Sequence, residues 1–248
     1  MAVQSIAMER FIEQFFEDRP PYIERVKALE NKRGLNLIGK LSKEKNEINF
    51  ASWRSEVAFG LFFDKGAETV EFERRIEGKT PDWTVHMNGE KFIAEVLRIN
   101  TPEEELLISM EKTRVINDAL REHPDASFMD TSNNAKVLSS QYFYGHQHKV
   151  ERKENSYRDI INKHKLPFVI CIESTRDTFV DGLDTFDAFI GSTKRGLFYK
   201  NDNLRKNVTG VLLYTYFGQF VYFHNELALN QFNQSNLNYF NSIHYKEN

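Results

Sequence analysis

The sequence predicts one α/β domain with a mixed central sheet and flanking helices. Three observations predict it. Apolar residues before residue 63 recur at helical spacing, three short segments between 70 and 97 alternate with period two, and Leu166–Ile172 is a near-continuous apolar run. A length of 248 residues amounts to fewer than two domains at about 150 residues each.

Phe11, Ile12, Phe15 and Phe16 start a helix that Pro20-Pro21 interrupts, and Tyr22, Val26 and Leu29 continue as a second one. Segment 34–50 is charged and mixed and reads as a connector. Trp53, Val57, Phe59, Leu61 and Phe62 form a helix from Ser52 to Phe63, ended at Lys65-Gly66, and Glu56 lies on it. Val70, Phe72, Arg74 and Ile76 then share one face of a first strand. Trp83, Val85 and Met87 mark a second strand, closed by Asn88-Gly89, a strong hairpin turn. Phe92, Ala94 and Val96 alternate with Ile93, Glu95 and Leu97 in a third.

Thr101-Pro102-Glu103-Glu104 opens another helix. Segment 124–149 is rich in polar residues and reads as a long loop. Residues 151–165 read as helix leading through Pro167 into a buried strand. Phe186, Phe189 and Ile190 predict a short helix, and 208–217 with 220–223 a hairpin turning at Gly218-Gln219. We set off an N-terminal helical extension at 1–50, a main domain at 51–225 and a C-terminal tail at 226–248.

Composition narrows the function classes. Apolar residues are 40% and charged residues 28%, and the longest apolar run, Val57–Phe63, is seven residues, far short of a bilayer span. The N-terminus lacks a basic and then apolar leader pattern, so a cytoplasmic location and no membrane partner are expected. Cys171 is the sole cysteine, which excludes an internal disulfide and reads as a small buried hydrophobe. The net charge of −3 gives no global basic field, so any nucleic-acid contact must run through local patches.

Two acids stand out. If the second and third strands pair around Asn88-Gly89, Asp82 and Glu95 lie opposite each other on one sheet face. Two carboxylates that close repel unless a cation lies between them, and a hard divalent metal is one answer. Bridging by Arg74, Arg75 or Arg98 is the other.

Glu56 on a helix, then Pro81-Asp82, then Glu95-Val96-Leu97 on the next strand resembles the PD-(D/E)xK, or restriction-endonuclease-like, nuclease superfamily. The order of helix, three-strand meander, helix and further strand is similar too. Lys163-His164-Lys165-Leu166-Pro167-Phe168-Val169-Ile170 and the stretch from Gly196 to Asn225 look like a bacterial branch of that superfamily. The resemblance covers roughly 52–225. It implies hydrolysis of a phosphodiester, with DNA as partner more than RNA. It further implies Mg²⁺ or Mn²⁺ held by Asp82, Glu95 and the Val96 carbonyl, with Glu56 as an extra ligand or base. A homodimer is compatible with it.

The sequence departs from the superfamily at position 97, where the motif lysine is replaced by leucine. Either another element supplies that cation or the fold persists as a non-catalytic interaction or nucleic-acid-binding module. Within the first reading, Lys163 on the helix at 151–165 is named first, because it lies one turn from the buried strand; Lys153 on the same helix and Arg114 on the preceding one stand behind it. Basic residues also cluster as Lys149, Arg152, Lys153, Arg158, Lys163 and Lys165, and as Lys194, Arg195, Lys200, Arg205 and Lys206, with Tyr157, Phe198 and Tyr199 interleaved. Of these, Lys153, Arg158, Lys194, Arg195, Lys200, Arg205 and Lys206 are the expected nucleic-acid contacts.

Overall fold

In the structure, a computed structural model, residues 12–15, 17–45, 47–98, 147–174, 182–191, 196–215, 218–243 and 245–246 are described. The helix expected from Thr101, with Arg114 on it, and most of the 124–149 segment lie outside these residues.

Helix α1 (Pro20–Arg33) starts on its prolines, buries Ile23, Val26 and Leu29, and ends at Gly34 in the left-handed region. The expected connector contains a short helix, α2 (Leu37–Leu41), pinned by burial of both end leucines. Five residues among charged neighbours are too few to carry a visible period. Helix α3 (Glu47–Phe63) follows. Gly60 on it faces Trp83, and a Cβ there would overlap the indole, so the glycine lets α3 close onto the sheet.

Strand β1 (Thr69–Phe72) is shorter than its alternation predicts, because Glu73 takes a left-handed backbone with φ 48° and leaves the ladder. Strands β2 (Trp83–Met87) and β3 (Glu90–Arg98) form the expected hairpin, with positive φ at Asn88 and Gly89. Their register pairs Trp83 with Ala94 and Thr84 with Ile93, which places Asp82 across from Glu95. Helix α4 (147–164) precedes β4 (Phe168–Glu173), which pairs parallel to β3. Then come α5 (Gly182–Phe189), α6 (Leu197–Lys200), α7 (Asp202–Asn207), β5 (Gly210–Tyr214) and β6 (Gln219–His224). The expected tail carries α8 (Gln234–Asn241), capped by the Asn233 side chain, and β7 (Tyr245–Lys246). Among the described residues the sheet has seven strands in chain order, parallel at β3–β4–β5 and antiparallel elsewhere.

Each sheet face has its own apolar layer. Phe92, Ala94 and Val96 meet Val26, Trp53, Phe63, Phe232 and Phe240 on one side, so the described parts of both the extension and the tail belong to this core. Ile93, Leu97, Ile170 and Ile172 meet Ile160, Ile161, Phe189, Phe198 and Leu204 on the other. Strand β4 contributes to both layers, which is why it reads as an unbroken apolar run. No helix among the described residues is long and apolar enough to cross a membrane.

Candidate active site

The β2–β3 register fixes the first two acids. Asp82 sits just before β2, and its carboxylate accepts the Val96 N–H at 2.7 Å; its own N–H donates to Glu95 at 3.0 Å. Glu95 is fully buried in β3. The third acid arrives from the other side of the sheet. Trp83 Nε1 donates to the Glu56 carbonyl at 2.8 Å, tying α3 over the start of β2.

A lysine bridges two of them. Lys153 Nζ lies 2.5 Å from Glu95 Oε2 and 3.7 Å from Asp82 Oδ2. Tyr157, one turn on, donates its hydroxyl to the Thr80 carbonyl at 3.0 Å. Leu97 shares a sheet face with Glu95, and α4 packs on that face. Lys153 therefore brings a cation to Glu95 on the side where Leu97 cannot.

Lys163, named first from the sequence, is elsewhere. Its ammonium pairs with Glu77 at 2.5 Å, its side chain is 64% exposed, and His164 meets the same carboxylate at 2.9 Å. Topology gives the reason. A crossover between parallel strands must run back antiparallel to them. The end of α4 thus lies beside the start of β3, where the Ile93 N–H donates to the Pro167 carbonyl, and its earlier turns lie beside the second half of β3. Ten residues of helix separate the two lysines by about 15 Å. Proximity in sequence to β4 is distance from Glu95.

The acids are under-neutralised. Burial, and then the Asp82 charge, push the Glu56 carboxyl up to about 8. The same two causes push Glu95 up to about 7, with Lys153 and Tyr157 only partly offsetting them. Asp82 is also raised, by burial, despite Lys153 and the Val96 N–H. Burial works against the Lys153 charge, yet Asp82 and Glu95 outweigh it and raise the ammonium.

These groups fit a hard divalent cation. All donors are oxygens, and the carboxyls are desolvated and mutually repelling. No group of three Asp, Glu, His or Cys side chains among the described residues is arranged to hold a metal, so the Val96 carbonyl and waters would have to complete the shell.

Two of the arginines weighed as bridges serve other acids: Arg74 pairs with Glu71, and Arg98 lies 3.5 Å from Glu173. Among the expected nucleic-acid contacts, Arg158 is engaged by Glu154 through two nitrogens at 2.8 and 2.7 Å, and Arg205 by Asp202 at 2.5 Å. Lys200 and Lys206 lie on α6 and α7, whereas Lys194 and Arg195 lie outside the described residues. Phe198 and Tyr157 are buried, so neither offers a base-stacking platform.

Sequence reasoning passed over Tyr157 as a site residue and gave Lys153 only a secondary place. A signal was there: Val150, Lys153, Tyr157, Ile160 and Ile161 keep one helical stripe, and all except Lys153 are apolar or aromatic. Lys163 is off that stripe.

The chain matches no family model, no curated protein and no solved structure.

Proposed function

We propose that this protein hydrolyses phosphodiester bonds in nucleic acid, DNA rather than RNA, through a restriction-endonuclease-like site made of Asp82, Glu95 and Lys153. The observation that carries the reading is Lys153 Nζ between the two opposed carboxylates, reached from a helix on the face where the strand offers only leucine. In the superfamily that the chain resembles, two acids and a lysine are the core of the site, and here the lysine has a different origin.

Asp82, Glu95 and the Val96 carbonyl would hold Mg²⁺ or Mn²⁺, which supplies Lewis-acid activation of water and charge relief at the phosphate. The protein's own part is positioning and charge. Lys153 brings a half-buried positive charge to where negative charge would grow on the attacked phosphate. Glu95 orients that ammonium, and Tyr157 ties the same helix to the Thr80 carbonyl beside it. Glu56, whose carboxyl burial and the Asp82 charge push up to about 8 in the metal-free protein, would serve beside Asp82 as the extra ligand or base that the resemblance implies.

Cleavage of labelled DNA, and of RNA of the same sequence, with Mg²⁺ present tests this in the wild type and in Asp82→Asn, Glu95→Gln and Lys153→Met. Cleavage of DNA lost in all three folded variants is expected. A wild type inert on both substrates would replace the enzyme with the non-catalytic module, for which Leu97 speaks.

A further inference from the structure

The site has a second flank, formed by α2 and the end of β1. Phe72 pairs with Trp83, so Glu73 stands opposite Asp82, and the Glu73 N–H donates to the Asp82 carbonyl at 3.1 Å. The left-handed turn at Glu73 takes the chain out of the ladder at this point. Lys40 reaches in from α2. Its ammonium lies 2.5 Å from Glu73 Oε1 and 4.7 Å from the centre of the Phe72 ring. An ammonium over a ring face is attracted by the ring's quadrupole.

Two features separate this lysine from an ordinary surface pair. Exposed ion pairs contribute little to stability, so the value of this one lies in where it stands. It stands beside Asp82, since its partner Glu73 lies opposite Asp82 at the end of the β1–β2 ladder. It is also accessible: Lys40 and Glu73 side chains are each 45% exposed, whereas Lys153 is 31% exposed and faces the buried Glu95. A polyanion approaching Asp82 and Glu95 therefore meets Lys40 at the rim and Lys153 deeper in.

We propose that Lys40 is a phosphate-binding residue of the substrate groove, holding the nucleic-acid strand on the β1 side of Asp82. The inference rests on the nuclease reading above. In the free protein Glu73 occupies the ammonium, and the substrate phosphate takes its place; Phe72 keeps the ammonium at the same spot throughout. Lys40 acts on binding and Lys153 on the chemical step.

The two partners of the pair give opposite expectations. Lys40→Met raises KM about five- to tenfold with kcat unchanged, and flattens the dependence of log affinity on log salt by about one. Lys40→Arg restores both. Glu73→Gln breaks the same ion pair but leaves KM unchanged or lower, because it removes a negative charge from the groove. A purely structural pair would make Lys40→Met and Glu73→Gln behave alike. The measurements are cleavage kinetics with Mg²⁺ and anisotropy of a fluorescent DNA duplex without it, on the full chain over a salt series. Cleavage by the wild type with KM and salt slope unmoved in Lys40→Met, or moved equally in Glu73→Gln, overturns this inference alone. A wild type that neither binds nor cleaves the duplex overturns the nuclease reading and this inference with it.

Discussion

Two buried glutamates on neighbouring strands have opposite surroundings. Glu173, at the end of β4, accepts the Ser55 hydroxyl at 2.5 Å and Arg54 at 3.2 Å, and lies 3.5 Å from Arg98. Glu95, within β3, has Lys153 at 2.5 Å, but that ammonium also serves Asp82, and Glu56 adds a third carboxyl. The first carboxylate is met by two guanidiniums. The second shares one ammonium with another acid. A buried charge that is fully met is a tie between elements; acids gathered around too little positive charge hold a place for something else.

The contrast can be broken most severely at Glu173. Glu173→Ala removes the acid that Arg54 and Arg98 share, while the Ser55 hydroxyl keeps the Ala51 carbonyl, and costs about 2–4 kcal/mol in urea unfolding, discounted for the partial exposure of Arg54 and Arg98. Mn²⁺ affinity should not change. Next comes Lys153→Met, which should slow cleavage at least about 100-fold, equivalent to about 2.7 kcal/mol in the barrier. It should also move the Glu95 titration further above about 7, read by carbonyl-carbon NMR of labelled glutamate.

Glu95→Gln works in the other direction from Glu173→Ala. In the metal-free protein at pH 8 it should raise stability by about 1–2 kcal/mol, since it removes an ionised carboxylate that folding buries beside Asp82. The wild type carries the same signature in its pH profile. Glu95 and Glu56 have folded values near 7 and 8, above the ordinary 4.5, so the folded state binds protons more tightly than the unfolded state between about pH 5 and 8. Their contribution is fully present below about 4.5 and is lost as pH rises through 7 and 8; metal-free stability therefore falls by about 1–3 kcal/mol across that window, and Mg²⁺ offsets the fall. The smallest effect belongs to Lys163→Met, which removes an exposed pair with Glu77 and should leave both stability and cleavage unchanged.

The central sheet was legible in the sequence because its signals are local. Alternation marked β2 and β3, Asn88-Gly89 set the register that opposes Asp82 to Glu95, and an apolar run marked β4. What escaped was short or depended on tertiary packing. Helix α2 is five residues long, and the asparagine-rich tail hides α8, whose Phe240 is core although the segment shows no strong period. Asp82 and Glu95 were read from spacing and Glu56 from the resemblance, yet the lysine was not placed, because distance along the chain was used where helix phase and crossover direction decide. The Lys40–Glu73–Phe72 flank had no sequence signal, since α2 and β1 meet only in the folded chain.

The most direct test of the under-neutralised acids is a Mn²⁺-soaked crystal of the wild type, examined by anomalous scattering. The account predicts a peak bonded to the Asp82 and Glu95 carboxylates, with the Lys153 ammonium moved off Glu95 Oε2. No peak at those carboxylates, with Lys153 still seated between them, would make this cluster a structural tie like Glu173 and contradict the account.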